Sequence, residues 1–124
     1  MTMTHPGIPS AEVFELPGGG RGLFTSRIHG NLSSVGGDDS EHGRRAREQL
    51  RNSLGLRRLV RGYQVHGTVV GRVREGEAPE GEGVDEDEQP TLHADGHAVS
   101  ARDIAAMVLV ADCVPVVLGA RGAV

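Results

Sequence analysis

Apolar positions along the chain fall into short clusters separated by glycine-rich and polar stretches. Residues 1–10 carry Pro and Ser without periodicity and read as a loose N-terminal arm. Residues 11–16, with Val13 and Phe14 at their centre, read as a strand, Pro17 to Gly20 as a turn, and 22–27 as a returning strand, a hairpin pattern. A polar loop follows over 28–39. Ala46, Leu50 and Leu54 then recur every four residues and predict a helix capped by Asp39 or Ser40 and stopped by Gly55. On that pattern the arginines between the apolar positions belong to the solvated face. Residues 57–74 carry a β-branched run and predict two short strands broken near Gly62 or Gly67. The most apolar stretch is 104–118. Pro115 argues against one helix there, so two short buried strands, about 104–110 and 114–118, are expected on either side of Ala111-Asp112-Cys113. A turn at 119–122 and the start of another strand at Ala123 complete the pattern.

The charge distribution alters this picture in one place. The net charge is -4, from 17 acids and 13 bases. Eight of the acids lie in 75–90, which has no base, so the rest of the chain carries +4. This segment has too little apolar content to bury and is expected to be a mobile surface loop. Every base is arginine. Such a body suits phosphate-bearing ligands, but GC-rich codon usage yields the same composition, and no basic stripe marks a nucleic-acid binder. No apolar run reaches about 18 residues, so no membrane span is expected, and the N-terminus does not read as a secretory signal. A single cysteine fits a cytoplasmic protein.

The residues that offer chemistry are few. Cys113 sits in the apolar stretch, where a lone thiol is usually a small buried hydrophobe. Asp112 beside it is a carboxylate in that same stretch and would need a partner if buried. As a thiolate, Cys113 is a metal ligand or a nucleophile. His66, within Gln64-Val65-His66-Gly67, is by itself a structural histidine. Paired with a cysteine from another strand it becomes a ligand or a base. His93 and His97 have the spacing of a helical chelate, but Gly96 argues against a helix. Gly18 to Gly22 lacks the Lys-Ser/Thr of a phosphate loop and reads as the hairpin turn. The acids of Gly36-Gly37-Asp38-Asp39 are explained by helix capping.

Taken in order, four stretches resemble the YfiH-like laccase-domain family, whose members also carry the names polyphenol oxidase, peptidoglycan editing factor and purine nucleoside phosphorylase. They are Phe24-Thr25-Ser26-Arg27, Asn31-Leu32 with the following Gly37-Asp38-Asp39, Gln64-Val65-His66-Gly67, and Ala94-Asp95 with Val110 to Val116. The last two are the most specific, and the resemblance runs from about residue 22 to the C-terminus.

The resemblance implies a mixed-sheet α/β/β/α sandwich, the fold shared with the deamidase domain of cytotoxic necrotizing factor. It also implies one zinc held by two histidines and a cysteine. His66 matches the first histidine and Cys113 the cysteine. The family's second histidine opens a His-Ala-Gly-Trp-Arg-Gly motif with no counterpart in this sequence. The expectation is therefore an N-terminal half of such a domain, over 11–124, with weak zinc binding and little activity. Arg27 matches a family arginine suited to phosphate. Asp112 joins it as a catalytic candidate, while Asn31 and Asp95 are candidates for contacting substrate or orienting loops. The implied activity is purine nucleoside phosphorolysis and adenosine deamination, with a purine nucleoside and phosphate as partners. Three departures from the family pattern bear on substrate preference. The link between Arg27 and Asn31 is short, Ala46-Arg47 stands where the family often has Asn-Arg, and the acidic insert is unusual. The alternatives are a copper-dependent polyphenol oxidase or peptidoglycan editing factor, a thiol hydrolase with Cys113 as nucleophile and His66 as base, and an inactive fragment.

Overall fold

The computed structural model describes residues 2–5, 7–33, 40–73 and 93–121. The acidic segment 75–90, the capping candidates Asp38 and Asp39, and the strand start at Ala123 lie outside the described residues. The chain is mixed α/β, with one helix and three small sheets among the described residues. It divides into two compact units, Met1–Gly55 with Val116–Val124, and Leu56–Pro115.

In the first unit, strands β1 (Thr2–His5), β2 (Ile8–Glu15) and β3 (Arg21–Phe24) form an antiparallel sheet in the order β1-β2-β3. The stretch read from the sequence as a loose arm is thus the first strand and the start of the second. Its partner β2 supplies the ladder, with Met3 opposite Val13, that local composition could not announce. The expected hairpin is present. Leu16 N–H donates to Gly20 O at 2.8 Å and closes the turn, and Val13 pairs with Leu23. Ile8, Ala11 and Val13 are buried, and the Phe14 and Phe24 rings meet edge to face at 5.6 Å. A 3-10 turn over Arg27–His29 follows β3. It is anchored by His29, whose Nδ1 accepts the Ser26 N–H at 2.8 Å while Nε2 lies 3.0 Å from Pro9 O.

Helix α1 spans Ser40–Ser53, and Gly55, at φ +67, ends it in the left-handed conformation that glycine adopts without strain. The helix occurs where the periodicity places it, but its buried stripe is displaced. Gly43, Arg47 and Leu50 are buried, whereas Ala46 and Leu54 are only half-buried. The reading that the helix arginines face solvent fails at Arg47, which is 0% exposed. Its Nη1 donates to Leu32 O at 2.8 Å. Gly43 explains the approach, since a Cβ there would collide with Ser33 O and stand 3.2 Å from Arg47 Nη1. The other arginines keep to the surface. Arg44 donates to both Glu41, at 2.7 and 3.0 Å, and Glu48, at 3.0 Å, and Arg45 donates to Glu41 at 3.0 Å. The Arg44 hydrogen bond, with Arg45, holds the Glu41 carboxyl down at about 2.

The second unit holds two parallel pairs. Strand β4 (Arg58–Val60) pairs with β7 (Ile104–Ala106), and β5 (Val70–Val73) with β6 (Gly96–Val99). Val60, Val73, Val99 and Ile104, one from each strand, form its core, with Ala101 against it. Arg57 fastens the start of β4 to β7 through its ion pair with Asp103 at 2.8 Å.

The apolar stretch departs from expectation after Ala106. Residues 107–119 contain no strand, and in the predicted strand 114–118 the side chains of Val114, Val116 and Leu118 are exposed at 84, 75 and 77%. Pro115 lacks an N–H for a ladder, and β-branched composition makes a strand only where a partner strand is present. Within the first unit, Val117 instead lies over Gly22 of β3, where a Cβ would come within 2.8 Å of its Cγ1.

The contrast between buried and exposed arginines is testable. Arg47→Ala removes a fully buried guanidinium and leaves Leu32 O without that donor, and should cost about 2–4 kcal/mol in thermal or urea unfolding. Arg44→Ala removes the exposed pairs with Glu41 and Glu48 and should cost less than about 1 kcal/mol. Equal effects would show that the burial of Arg47 carries no special weight.

Candidate functional site

The chemistry-bearing segments of the second unit meet around one irregularity in a parallel pair. Tyr63 forms an isolated parallel bridge with His93, and the regular ladder resumes at Val70 opposite Gly96. Six residues, 64–69, therefore lie opposite two, Ala94 and Asp95. The extra residues leave the ladder as a loop, and that loop is Gln64-Val65-His66-Gly67-Thr68-Val69. Its ends are tied by backbone bonds, Ala94 N–H to Tyr63 O at 3.2 Å and Asp95 N–H to Val69 O at 3.3 Å. The Tyr63 and His93 rings stack at 5.2 Å beside the first tie.

The loop's own N–H groups have no ladder to join, and the Asp95 carboxylate replaces it. Val65 N–H donates to Oδ1 at 3.2 Å, His66 N–H to Oδ1 at 2.8 Å, and Gly67 N–H to Oδ2 at 2.9 Å. Successive N–H groups converging on one anion form a nest, and a nest requires a residue outside the usual backbone regions. That residue is His66, at φ +56. Its side chain is left exposed on a backbone that Asp95 fixes. The bond from Gly67, followed by those from His66 and Val65, draws the Asp95 carboxyl below the usual carboxylate range. The sign follows. The grip is complete above pH of about 4, the ordinary value, and weakens as pH falls through the lowered one.

Gln64 makes a second connection, its side-chain amide donating to Leu109 O. Leu109 precedes Asp112 and Cys113, both exposed. The burial that would require a partner for Asp112 is therefore not met. The segment lies open rather than inside a sheet, so no partner is demanded by desolvation. Cys113 is an exposed free thiol, not a core residue. His97, weighed with His93 as a helical chelate, lies on strand β6. Its Nδ1 is buried without a hydrogen-bond partner, and burial pushes its pKa down. Arg27 and Asn31 lie in the first unit. Arg27 is exposed on the 3-10 turn, and Asn31 Oδ1 accepts the Ser33 N–H at 2.9 Å, which folds the chain locally. Among the described residues no group of three or more His, Cys, Asp or Glu is placed to hold a metal.

The structure thus brings His66 and Asp95 into direct contact through the backbone. Sequence reasoning quoted Gln64 only as part of a motif. Its partner lies 45 residues away and is a backbone carbonyl, so no side-chain pattern announces the pair.

Asp95→Asn keeps the shape of the side chain but removes the negative charge and one acceptor oxygen. Amide exchange at His66 and Gly67, followed by NMR, should accelerate at least about tenfold, in line with the loss of charge-assisted bonds. Unchanged protection at both amides would show that the carboxylate does not hold the loop.

No curated protein and no solved structure matches this chain. The sequence does match, over residues 20–123, the family described as multi-copper polyphenol oxidoreductase laccase. That span takes in the nest loop, Asp95 and Cys113 together, and the chain belongs to this laccase family.

Proposed function

We propose that this chain supplies His66 and Cys113 as two ligands of a zinc ion in a purine nucleoside phosphorylase and adenosine deaminase of the laccase family. The observation that carries the reading is the nest, in which an exposed imidazole stands on a loop whose backbone is fixed by an anion. A solvent-facing histidine with no packing role has no reason to sit on a left-handed backbone held by three hydrogen bonds, unless its placement matters. The donor chemistry fits, since an imidazole and a thiolate both suit zinc, as they suit copper. A catalytic zinc takes three protein ligands, so these two residues make up part of such a site. When bound, the ion supplies Lewis acidity to a purine substrate and its attacking water.

The remaining residues act on the substrate or the loops. The exposed Arg27 guanidinium offers the paired donors that phosphate takes. The exposed Asp112 carboxylate is suited to accept a proton or a hydrogen bond from the substrate. Asn31 and Asp95 orient their loops. The compartment is proposed as the cytoplasm, on the single cysteine. The second reading is a copper-dependent polyphenol oxidase, which the family's description favours.

Cobalt substitution tests the ligand assignment. The chain should bind Co(II) weakly, with a thiolate-to-metal charge-transfer band. Cys113→Ser should abolish the band, and His66→Ala should weaken binding by more than the roughly tenfold that an outer-sphere change costs. A wild-type complex without the band, or one that Cys113→Ser leaves unchanged, overturns the assignment. Phenol oxidation that scales with copper content would favour the second reading.

A further inference from the structure

Two side chains reach across the second unit from the motif segments, and only one of them concerns the nest. Asp95 fixes the backbone of the loop that bears His66. Gln64, at the start of the same loop, donates its side-chain amide to the carbonyl of Leu109. The segment it grasps has little else of its own. After Met107, whose N–H donates to Val60 O at 2.7 Å, residues 108–113 contain no strand, and most of them are exposed. Cys113 lies four residues beyond Leu109 in this stretch.

We infer that Gln64 is a positioning residue that ties the His66 loop to the segment bearing Cys113. The loop end of the tie is already immobilised, because the residue after Gln64 donates its N–H to Asp95. The amide therefore transmits a fixed reference to a segment that lacks a ladder. A side chain tethered four residues from a thiol narrows the range over which the thiol wanders. This lowers the entropic cost of any ligand that must engage His66 and Cys113 together. The tie itself rests on the Gln64–Leu109 hydrogen bond. Its consequence for ligand binding rests on the proposed reading of His66 and Cys113 as joint ligands.

Two variants of this exposed residue separate the tie from general packing. Gln64→Met keeps the length and removes the donor, and Gln64→Glu keeps the shape and turns an acceptor toward the carbonyl. In the metal-free chain, 15N relaxation order parameters at Val110, Asp112 and Cys113 should fall in both variants, with those at His66 and Gly67 unchanged. Unchanged values at 110–113 would overturn the inference whatever the chain binds. With Co(II), both variants should retain the thiolate band but bind about tenfold more weakly, as expected for an outer-sphere contact, with an unaltered melting temperature. In a Cys113→Ser background, Gln64→Met should have no further effect, because there is no second ligand left to place. Wild-type affinity in both variants would also overturn the positioning role. Loss of order at 110–113 in a chain whose wild type shows no thiolate band would instead uphold the tie and sink the metal reading.

Discussion

Three consecutive N–H groups, those of Val65, His66 and Gly67, converge on the carboxylate of Asp95, and the candidate site depends on that convergence. A parallel strand pair satisfies its backbone groups by regular register. Where six residues face two, the register cannot continue, and the surplus N–H groups need another acceptor or water. A carboxylate meets this need with more energy than a neutral acceptor, because each bond is charge-assisted. That excess stabilises the left-handed backbone of His66, a conformation that costs a residue with a side chain about 1 kcal/mol or more. The loop is thereby a determined structure rather than a loose connection, and the Cα–Cβ bond of His66 has a set direction.

The surrounding unit provides a base for this loop rather than enclosing it. One valine or isoleucine from each of the four strands makes the core, and the Arg57–Asp103 pair joins the start of β4 to β7. This core is small, and the site sits at the break in one of its two ladders. The first unit follows a different logic. There a guanidinium is buried against the Leu32 carbonyl, and a glycine on the preceding helical turn makes room for it. Burying so costly a group is tolerable only where hydrogen bonds replace its water. The Leu32 carbonyl is one acceptor that does so.

Much of this was legible in the residues. The hairpin at Pro17 to Gly20, the helix ending before Gly55, the strands on either side of the 62–67 break and the mixed α/β class all follow from local pattern. Local pattern reports what a segment prefers, and it misled where partners decide. The apolar run at 114–118 has strand composition but forms no strand, although Val117 lies over Gly22 of β3. Thr2 to His5 has no strand signature, yet pairs with β2. The helix stripe was read from Ala46, Leu50 and Leu54. The buried positions are Gly43, Arg47 and Leu50, because space above Gly43 admits an arginine that periodicity assigns to solvent. At the site, His66, Asp95, Asp112 and Cys113 stood out by type and motif. The fact that Asp95 grips backbone rather than a side chain, and that Gln64 reaches a carbonyl, is invisible to any pattern of side chains.

The central claim is that the Asp95 carboxylate, as an anion, organises the His66 loop. A 13C-detected titration of the Asp95 carboxyl group, with the His66 and Gly67 amide shifts followed in the same samples, tests it most directly. The midpoint should lie below the ordinary aspartate value of about 3.9, with both amide shifts moving through the same midpoint. A midpoint at or above the ordinary value, or amide shifts that ignore the titration, would contradict it.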